Sequence, residues 1–401
     1  MKKQVVIVGG GPAGMLMGLL LARENIDVLV LEKNKSLERD FRGETIAPGS
    51  VYLLKKLGIF RELEKHGFVK VNKIKMYDRD EKLFSVDFDR FDHPQKFGID
   101  IPQPVVLEAI KQQALKHPNF HYIDGALCMD LLKENDQVVG VRYKQEQDVK
   151  EIQSQLVIGA EGRFSRIRSL AGFRVKKENF SRDLIWFKVP KPANWEEGNL
   201  IKVHKHDHVI ILPTYPNYLR VGTYIPLGGS AYIKSKSIDW FIDKVCRIEP
   251  RLREPMKEHI TSWEDTTLLK IFTAHVDEWA KDGIILIGDS AHTLSPILGQ
   301  GVNLAMQDAY ELLPYVKDGL STYKNRPIPA SHFDEFVSKR KQQVSFVSGF
   351  QAQQEQNLAA SSLIQCAIRK LKMRVLDRLP FKYAVMEKLQ YGIFANEKVE
   401  V

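Results

Sequence analysis

Four short stretches far apart in the chain are apolar at nearly every position: residues 5–8 (VVIV), 27–31 (DVLVL), 156–158 (LVI) and 284–287 (IILI). Unbroken apolar runs of this length suit parallel strands buried on both faces. Between the first two, residues 12–24 read as a helix that opens on Pro12 and closes at Asn25. Further helices are predicted over 48–56, stopped near Gly58, over 104–116 behind a proline start, and over about 301–316. Elsewhere the period is that of strands. Residues 70–99 alternate apolar and polar positions, as in 73–77 and 83–88, and 122–143 reads as strands about a turn at 134–137. Residues 184–226 are again strand-like and hold the aromatics Trp186, Phe187, Tyr215, Tyr218 and Tyr224. Helical patterning returns over 239–258 and over most of the chain from Ser331 onward. Parallel-type strands interrupted by antiparallel segments imply one α/β domain assembled from distant segments, with a mainly β domain inserted.

The first apolar run raises a second reading. Lys2 and Lys3 precede an uncharged stretch from Val5 to Ala22, as in a signal peptide or a membrane span. That stretch holds Gly9, Gly10, Gly11, Pro12, Gly14 and Gly18, and a triple glycine breaks the hydrophobic helix either would need. A strand, a turn and a helix account for every one of these glycines. Gly9, Gly11 and Gly14 form G-x-G-x-x-G directly after the strand. The first allows a tight turn, the second lets backbone approach a pyrophosphate, and the third lets helix and sheet come close. The helix start, with Pro12 and Ala13, then turns free N–H groups and positive potential toward the diphosphate. Glu32 stands 23 residues after Gly9, at the end of the second strand, where an acid accepts from adenosine ribose hydroxyls, with Lys33 beside it. The unit is a dinucleotide site; alone it does not separate FAD from NAD.

Composition bounds the rest. The 401 residues imply two or three domains, and 44% hydrophobic with 27% charged residues is globular. Cys128, Cys246 and Cys366 lie far apart without C-x-x-C spacing, which argues against a disulfide framework or zinc site and fits a reduced, cytoplasmic setting. The net charge of +9 comes mostly from basic residues that alternate with acids, a solvated surface. The C-terminal region is different: Arg369, Lys370, Lys372, Arg374, Arg378 and Lys382 crowd among Ile368, Leu371, Val375, Leu376 and Leu379, the pattern of a basic amphipathic helix. Such a helix packs on its own protein or lies on a membrane surface, so a peripheral membrane location stays open. No nucleic-acid motif is present, and nucleic acid is not expected as a partner.

Three later segments decide the cofactor. Residues 284–308 read IILIGDSAHTLSPILGQGVNLAMQD, 156–168 read LVIGAEGRFSRIR, and 42–48 read RGETIAP. These resemble, in order, the G-D-x-A-H-x-x-x-P-x-x-G-x-G-x-N signature, the D-G segment and the arginine loop of FAD-dependent monooxygenases of the p-hydroxybenzoate hydroxylase-like family. The resemblance implies an α/β fold: a Rossmann-like FAD-binding domain from 1–70, 100–180 and 275–330, an inserted mainly antiparallel β substrate domain from 71–99 and 181–274, and a C-terminal helical region, 331–401. It implies that Asp289 and Gln103 meet the flavin ribityl chain. Gly299, Gly301, Val302 and Asn303 would set helix-start N–H groups at the flavin N1–C2=O edge, and Pro296 would shape the peroxide site. Arg42 would reach the diphosphate or a passing nicotinamide. Arg163, Arg166 and Arg168 are further candidates for phosphates, or a solvated basic face. His292 matches a residue in a structural turn. One departure stands out: Glu161-Gly162 replaces Asp-Gly, and the extra methylene puts the contact in doubt.

The resemblance further implies that NADH or NADPH visits to reduce the flavin, since the chain has no second glycine-rich βαβ unit, and that O2 then forms a C4a-hydroperoxide that hydroxylates an aromatic or quinone-like substrate. Trp186, Phe187, Tyr215 and Tyr224 are candidates for the substrate pocket, with ordinary core aromatics as the alternative. Tyr215, Tyr224 or His204 are candidates to help remove a phenol's proton. Rival readings are a flavin-dependent halogenase, a prenyl double-bond reductase and a membrane-docked flavin-binding interaction protein. The segment 185–190 (IWFKVP) has one tryptophan where halogenases carry W-x-W-x-I-P, which counts against the first. Oligomeric state is not legible.

Overall fold

The computed structural model describes residues 2–38, 44–196, 198–205, 207–359 and 362–399. Arg42, expected near the cofactor, lies outside the described residues.

The chain begins as its glycines demand. Strand β1 (Lys2–Val8) runs into helix α1 (Pro12–Arg23), and Asn25, at φ 58°, turns the chain into β2 (Val28–Leu31). A crossover follows: β3 (Thr45–Ile46), α2 (Pro48–Lys56), α3 (Phe60–His66), β4 (Val69–Val71), the hairpin β5 (Lys73–Asp78) and β6 (Glu81–Asp87), then β7 (Gly98–Asp100) and α4 (Gln103–Ala114). The chain returns through β8 (Phe120–Ile123), β9 (Ala126–Glu134), β10 (Gln137–Gln145), β11 (Asp148–Gly159), α5 (Arg166–Leu170) and β12 (Val175–Asn179). The second excursion is β13 (Arg182–Pro190), β14 (Asn199–His204), β15 (Asp207–Thr214), β16 (Tyr218–Pro226), α6 (Ser230–Lys234), α7 (Ile238–Cys246), α8 (Arg253–His259) and β17 (Thr267–Leu269). Pro250 breaks the single helix expected over 239–258, because its ring and missing N–H cannot continue the turn. After β18 (Phe272–Val276), β19 (Ala280–Lys281), β20 (Ile284–Leu286) and β21 (His292–Thr293), four helices close the chain: α9 (Gln300–Tyr323), α10 (Asp334–Leu358), α11 (Leu363–Arg378) and α12 (Phe381–Tyr391). Helix α9 runs past the expected Val316, and Pro314 sits inside it.

The four apolar runs are neighbours in one sheet. Its order is β19-β20-β11-β1-β2-β8, with β9 and β10 joined to β11. Val5 pairs with Val28 on one side and Leu156 on the other, and Val157 pairs with Ile284, all in parallel. Helix α1 packs on this sheet between α4 and α9, and the apolar residues of the four runs are buried. A second sheet, β17-β13-β16-β15-β14-β5-β6, draws on both excursions. Its period of two sorts side chains between faces. Ile185, Phe187, Val189, Ile211 and Val221 pack against Phe241 and Val245 of α7. The opposite face turns Leu184, Trp186, Ile210, Leu212 and Arg220 toward the first domain. The C-terminal helices tie the two sheets together: Glu355 of α10 takes the Arg182 guanidinium at 2.7 Å, with 11% and 7% of the two side chains exposed.

Candidate functional site

A cavity of about 500 Å³ lies between the start of α1, the start of α9 and the inner face of the second sheet. Gly11, Pro12 and Ala13 line it at the first helix, and Pro296, Gly299, Gly301 and Val302 at the second. Residues 44–48 and 160–164, together with Gln103 and Asp289, complete the near wall.

Both helix starts lack a side-chain cap. Helix α1 opens at Gly11 and α9 at Gly299, and neither first turn receives a side-chain hydrogen bond. Uncapped first-turn N–H groups and the helix dipole therefore present positive potential to one cavity from two directions. Sterics keep the first start open. Gly9 has φ 113°, and a Cβ there would stand 2.4 Å from the Ala160 carbonyl oxygen. A Cβ on Gly14 would stand 1.9 Å from the Gly9 carbonyl oxygen, whereas one on Gly11 would meet nothing closer than 4.0 Å. At the second start, Leu298 and Gly299 both take φ 60°, a conformation a leucine adopts only where its surroundings impose it. Gln351 of α10 imposes it, donating to the Ser295 and Ile297 carbonyls at 3.0 and 2.7 Å. Asn303 donates to the Gly299 carbonyl at 2.9 Å and accepts from the Ala47 N–H at 2.9 Å, which pins the loop at 44–48 to α9.

Beneath this loop lies a fully buried charge cluster. Asp308 accepts from His292 Nε2 at 2.6 Å, from Arg340 Nε at 2.7 Å and from the Gly288 N–H at 2.8 Å. Burial alone would raise the Asp308 pKa, but the His292 and Arg340 charges outweigh it and hold the carboxyl at about 2. His292 therefore braces the turn that carries Asp289, and it does not line the cavity.

The expected site residues sort into three groups. Gly11, Pro12, Ala13, Gln103, Asp289, Pro296, Gly299, Gly301 and Val302 line the cavity, as does Trp186 across from them. Asp289 also meets Arg163 Nε at 3.3 Å. Gly9, Gly14 and Asn303 shape it from behind. Glu32 is 3% exposed and accepts from the Gly10 N–H at 2.7 Å and from Asn34 Nδ2 at 2.7 Å, while Lys33 is exposed.

Several expectations need correction. Tyr215 rests on His66, ring centres 5.4 Å apart, away from the cavity. Tyr224 pairs with Leu184 on the same inner face but stays out of the cavity lining, its ring packed on His208 with centres 4.1 Å apart, and burial pushes its hydroxyl well up. His204 is at the sheet's outer end beside Arg79, and Phe187 faces α7. Strand alternation explains Phe187, since it puts 184 and 186 on one face and 185 and 187 on the other. Arg168 is held by the Ser290 and Arg163 carbonyls. Glu161 folds back on its own chain: its Oε2 accepts from Ser165 Oγ at 2.8 Å and the Ile167 N–H at 2.7 Å, using the extra methylene to reach the start of α5.

One polar end of the cavity was missed. Arg220 stacks over Trp186 at 4.4 Å and pairs with Glu44 at 3.7 Å; Thr214 Oγ1 also reaches Glu44, at 3.4 Å. Thr45 Oγ1 donates to Asp100 Oδ1 at 2.6 Å. Burial pushes the Asp100 carboxyl up to about 7, against the pull of the Thr45 hydrogen bond. A lone arginine between Leu219 and Val221, and a lone acid between Ile99 and Ile101, were the available signals.

Two positive helix starts in one cavity suit a dinucleotide with an anionic diphosphate and a ring that turns negative on reduction, as in a flavin dinucleotide. The family model described as FAD binding domain matches residues 2–317; the chain belongs to that family, and FAD is its cofactor. The chain is 28% identical over 391 residues, 97% of its own length and 92% of the relative's, to a 6-methylpretetramide 4-monooxygenase of Streptomyces rimosus. It is 25% identical over 79% of its length and 77% of the relative's to a 1H-pyrrole-2-carbonyl-[peptidyl-carrier protein] brominase of Pseudoalteromonas luteoviolacea. Among solved structures, p-nitrophenol 4-monooxygenase PnpA from Pseudomonas putida superposes with a TM-score of 0.80 over the whole of both chains at 17% identity, a likeness of fold. The resemblance to FAD-dependent aromatic hydroxylases is borne out, and the chain is an FAD-dependent monooxygenase.

Two outcomes follow from the buried acids. Asp308→Ala leaves the buried Arg340 guanidinium and the His292 ring without their partner and is expected to cost ~3–5 kcal/mol, read as a lower thermal midpoint. Asp100 keeps its proton to about pH 7 in the fold, so the unfolded chain ionises first and stability falls as pH rises from the ordinary carboxylate range to that value. Asp100→Asn removes this fall. The midpoint of the variant relative to wild type should be higher at pH 8 than at pH 5; an equal difference at both would contradict the assignment.

Proposed function

We propose that the protein hydroxylates a largely apolar, flat ring compound that carries a hydroxyl or enol group, at the expense of NADH or NADPH. The cavity carries this reading: two helix starts stand on one wall, an apolar sheet face opposes them, and a charged end closes it. In the reading, the N–H groups of Gly11, Ala13 and Gly14 take the FAD diphosphate, and Glu32 exchanges its present partners for the adenosine ribose. Gln103 and Asp289 orient the ribityl chain, and Arg163 neutralises Asp289. The N–H groups of Gly301 and Val302 stabilise negative charge on the pyrimidine edge of the ring, whereas the Gly299 N–H, expected to join them, is taken by the Pro296 carbonyl at 2.9 Å. When bound, FAD supplies the two-electron reduction and the oxygen activation that no side chain can.

The residues of the chain do the rest. Leu184, Trp186, Ile210 and Leu212 hold the substrate ring and exclude water from the reacting face. Pro296 shapes the space beside that face. The oxygen-bearing edge of the substrate is placed at the polar end, where the Arg220 guanidinium stabilises an anionic oxygen and Glu44 or Asp100, through Thr45, accepts its proton. One oxygen atom enters the substrate and the other leaves as water, with two electrons from NAD(P)H. The name of the first relative, a 6-methylpretetramide 4-monooxygenase, supports oxygen insertion as the reaction. The single tryptophan of 185–190 argues against halogenation.

A panel of phenols, polycyclic aromatic polyketides and quinone precursors tests this. An accepted compound is expected to stimulate NAD(P)H oxidation, with one O2 consumed and one hydroxylated product formed per NAD(P)H. Arg220→Met should raise the KM of that compound by about tenfold or more. If stimulation requires halide and yields a halogenated product, or occurs without O2 uptake, the reading fails.

A further inference from the structure

Helix α11 does not bury the face its apolar residues define. Its inner side, with Met373 and Leu376, packs in a cluster with Ile201, Ile297, Leu298 and Leu358, all of which line the cavity. Its outer side exposes Ile364, Ile368, Leu371 and Val375 at 49–74%, and Leu363 at 77%. With Leu379 and Phe381 at the turn into α12, these are seven of the sixteen large hydrophobic side chains exposed among the described residues. The steps 364, 368, 371, 375, 379 follow one helical stripe, so this is a ridge and not scattered surface. Basic residues flank it. Lys370 and Arg374 reach back to Asp78 and Glu81, Lys372 to Asn357, and Arg378 is exposed. Of the six basic side chains of residues 363–382, Arg369 and Lys382 are buried, the latter on Asp377, and Lys370, Lys372, Arg374 and Arg378 flank the ridge.

We propose that this ridge docks the protein on an anionic membrane surface. Exposed leucines and isoleucines on a helix flanked by lysine and arginine gain both apolar burial and attraction to anionic headgroups when they lie in the interface. A second copy of the chain is the poorer occupant, because pairing two ridges would bring their basic flanks together. The face of a single helix is convex, and a bilayer, unlike a protein partner, needs no complementary groove. Docked in this way, the molecule places one apolar layer, α11 itself, between the bilayer and the cavity. An apolar substrate held in a membrane would then enter from that side. No helix among the described residues is long and apolar enough to cross a membrane. Docking does not depend on the identity of the hydroxylated compound.

Flotation of the full-length, FAD-loaded protein with phosphatidylcholine vesicles, with or without about 30% phosphatidylglycerol, tests it. Binding to the anionic vesicles should be ~tenfold stronger and should fall severalfold at high salt. Ile368→Glu/Leu371→Glu/Val375→Glu should lose ~tenfold or more of that binding while flavin content stays unchanged. Lys372→Gln/Arg378→Gln, which leaves the apolar stripe intact, should lose severalfold and decides the matter if the first variant folds poorly. Wild-type protein that ignores anionic vesicles, variants that bind as wild type does, or a dimer in sedimentation that the glutamate variant disperses would each overturn the proposal.

Discussion

The site rests on two helix starts that the chain leaves uncapped. A serine, threonine or aspartate at such a start can turn back onto the first N–H groups, as Ser165, Ser237 and Ser362 do at α5, α7 and α11. Here Gly11 and Gly299 stand at those positions, and no side chain reaches either first turn. The unmet donors and the aligned peptide dipoles make two regions of positive potential, and the fold brings both to one cavity although 288 residues separate the glycines. The packing around them serves this arrangement. Gly9 and Gly14 let α1 approach the sheet, Gln351 and Asn303 hold the strained loop before α9, and Asp308 fastens the turn at Gly288 to α9 and α10 through Arg340 and His292.

The second sheet supplies what a cofactor cradle lacks. Its alternation sends one set of apolar residues to α7 and α8 and the other to the cavity. Among that second set Arg220 is an exception, a buried cation spread over Trp186 and balanced by Glu44. Asp100 and Thr45 extend the same polar end. A site with one dry wall and one ionisable end can hold an apolar ring and still manage a proton. It is also costly to fold, because Asp100 ionises only against burial.

Much of the near wall was legible in the sequence because steric demand leaves a local mark there. The glycines at 9, 11 and 14, and the glycines and proline between 288 and 301, can be explained in few other ways. The parallel strands were legible because burial on both faces removes alternation. The polar end was not. Glu44, Asp100, Thr214 and Arg220 meet only after two excursions fold into one sheet, and each alone reads as an ordinary polar residue. Tyr215 and Tyr224 are conspicuous aromatics, yet Tyr215 falls in the turn beyond β15, and Tyr224, though on the inner face, packs on His208 beside the cavity. Glu161 shows how little is needed to redirect a contact: one methylene lets it cap α5. Asp308 lies within the motif, but its role is not legible there, since its partner Arg340 comes from a helix whose packing no local pattern announces.

The two open helix starts are proposed to hold FAD. Titration of flavin-stripped protein with FAD, followed at absorbance bands near about 370 and about 450 nm, tests it most directly when wild type is compared with Gly11→Asp. The account predicts saturation at one FAD per chain for wild type, and affinity at least about tenfold weaker for the variant, whose carboxylate would cap α1 and repel the diphosphate. Protein that stays colourless with FAD, or a variant that binds as tightly as wild type, would contradict it.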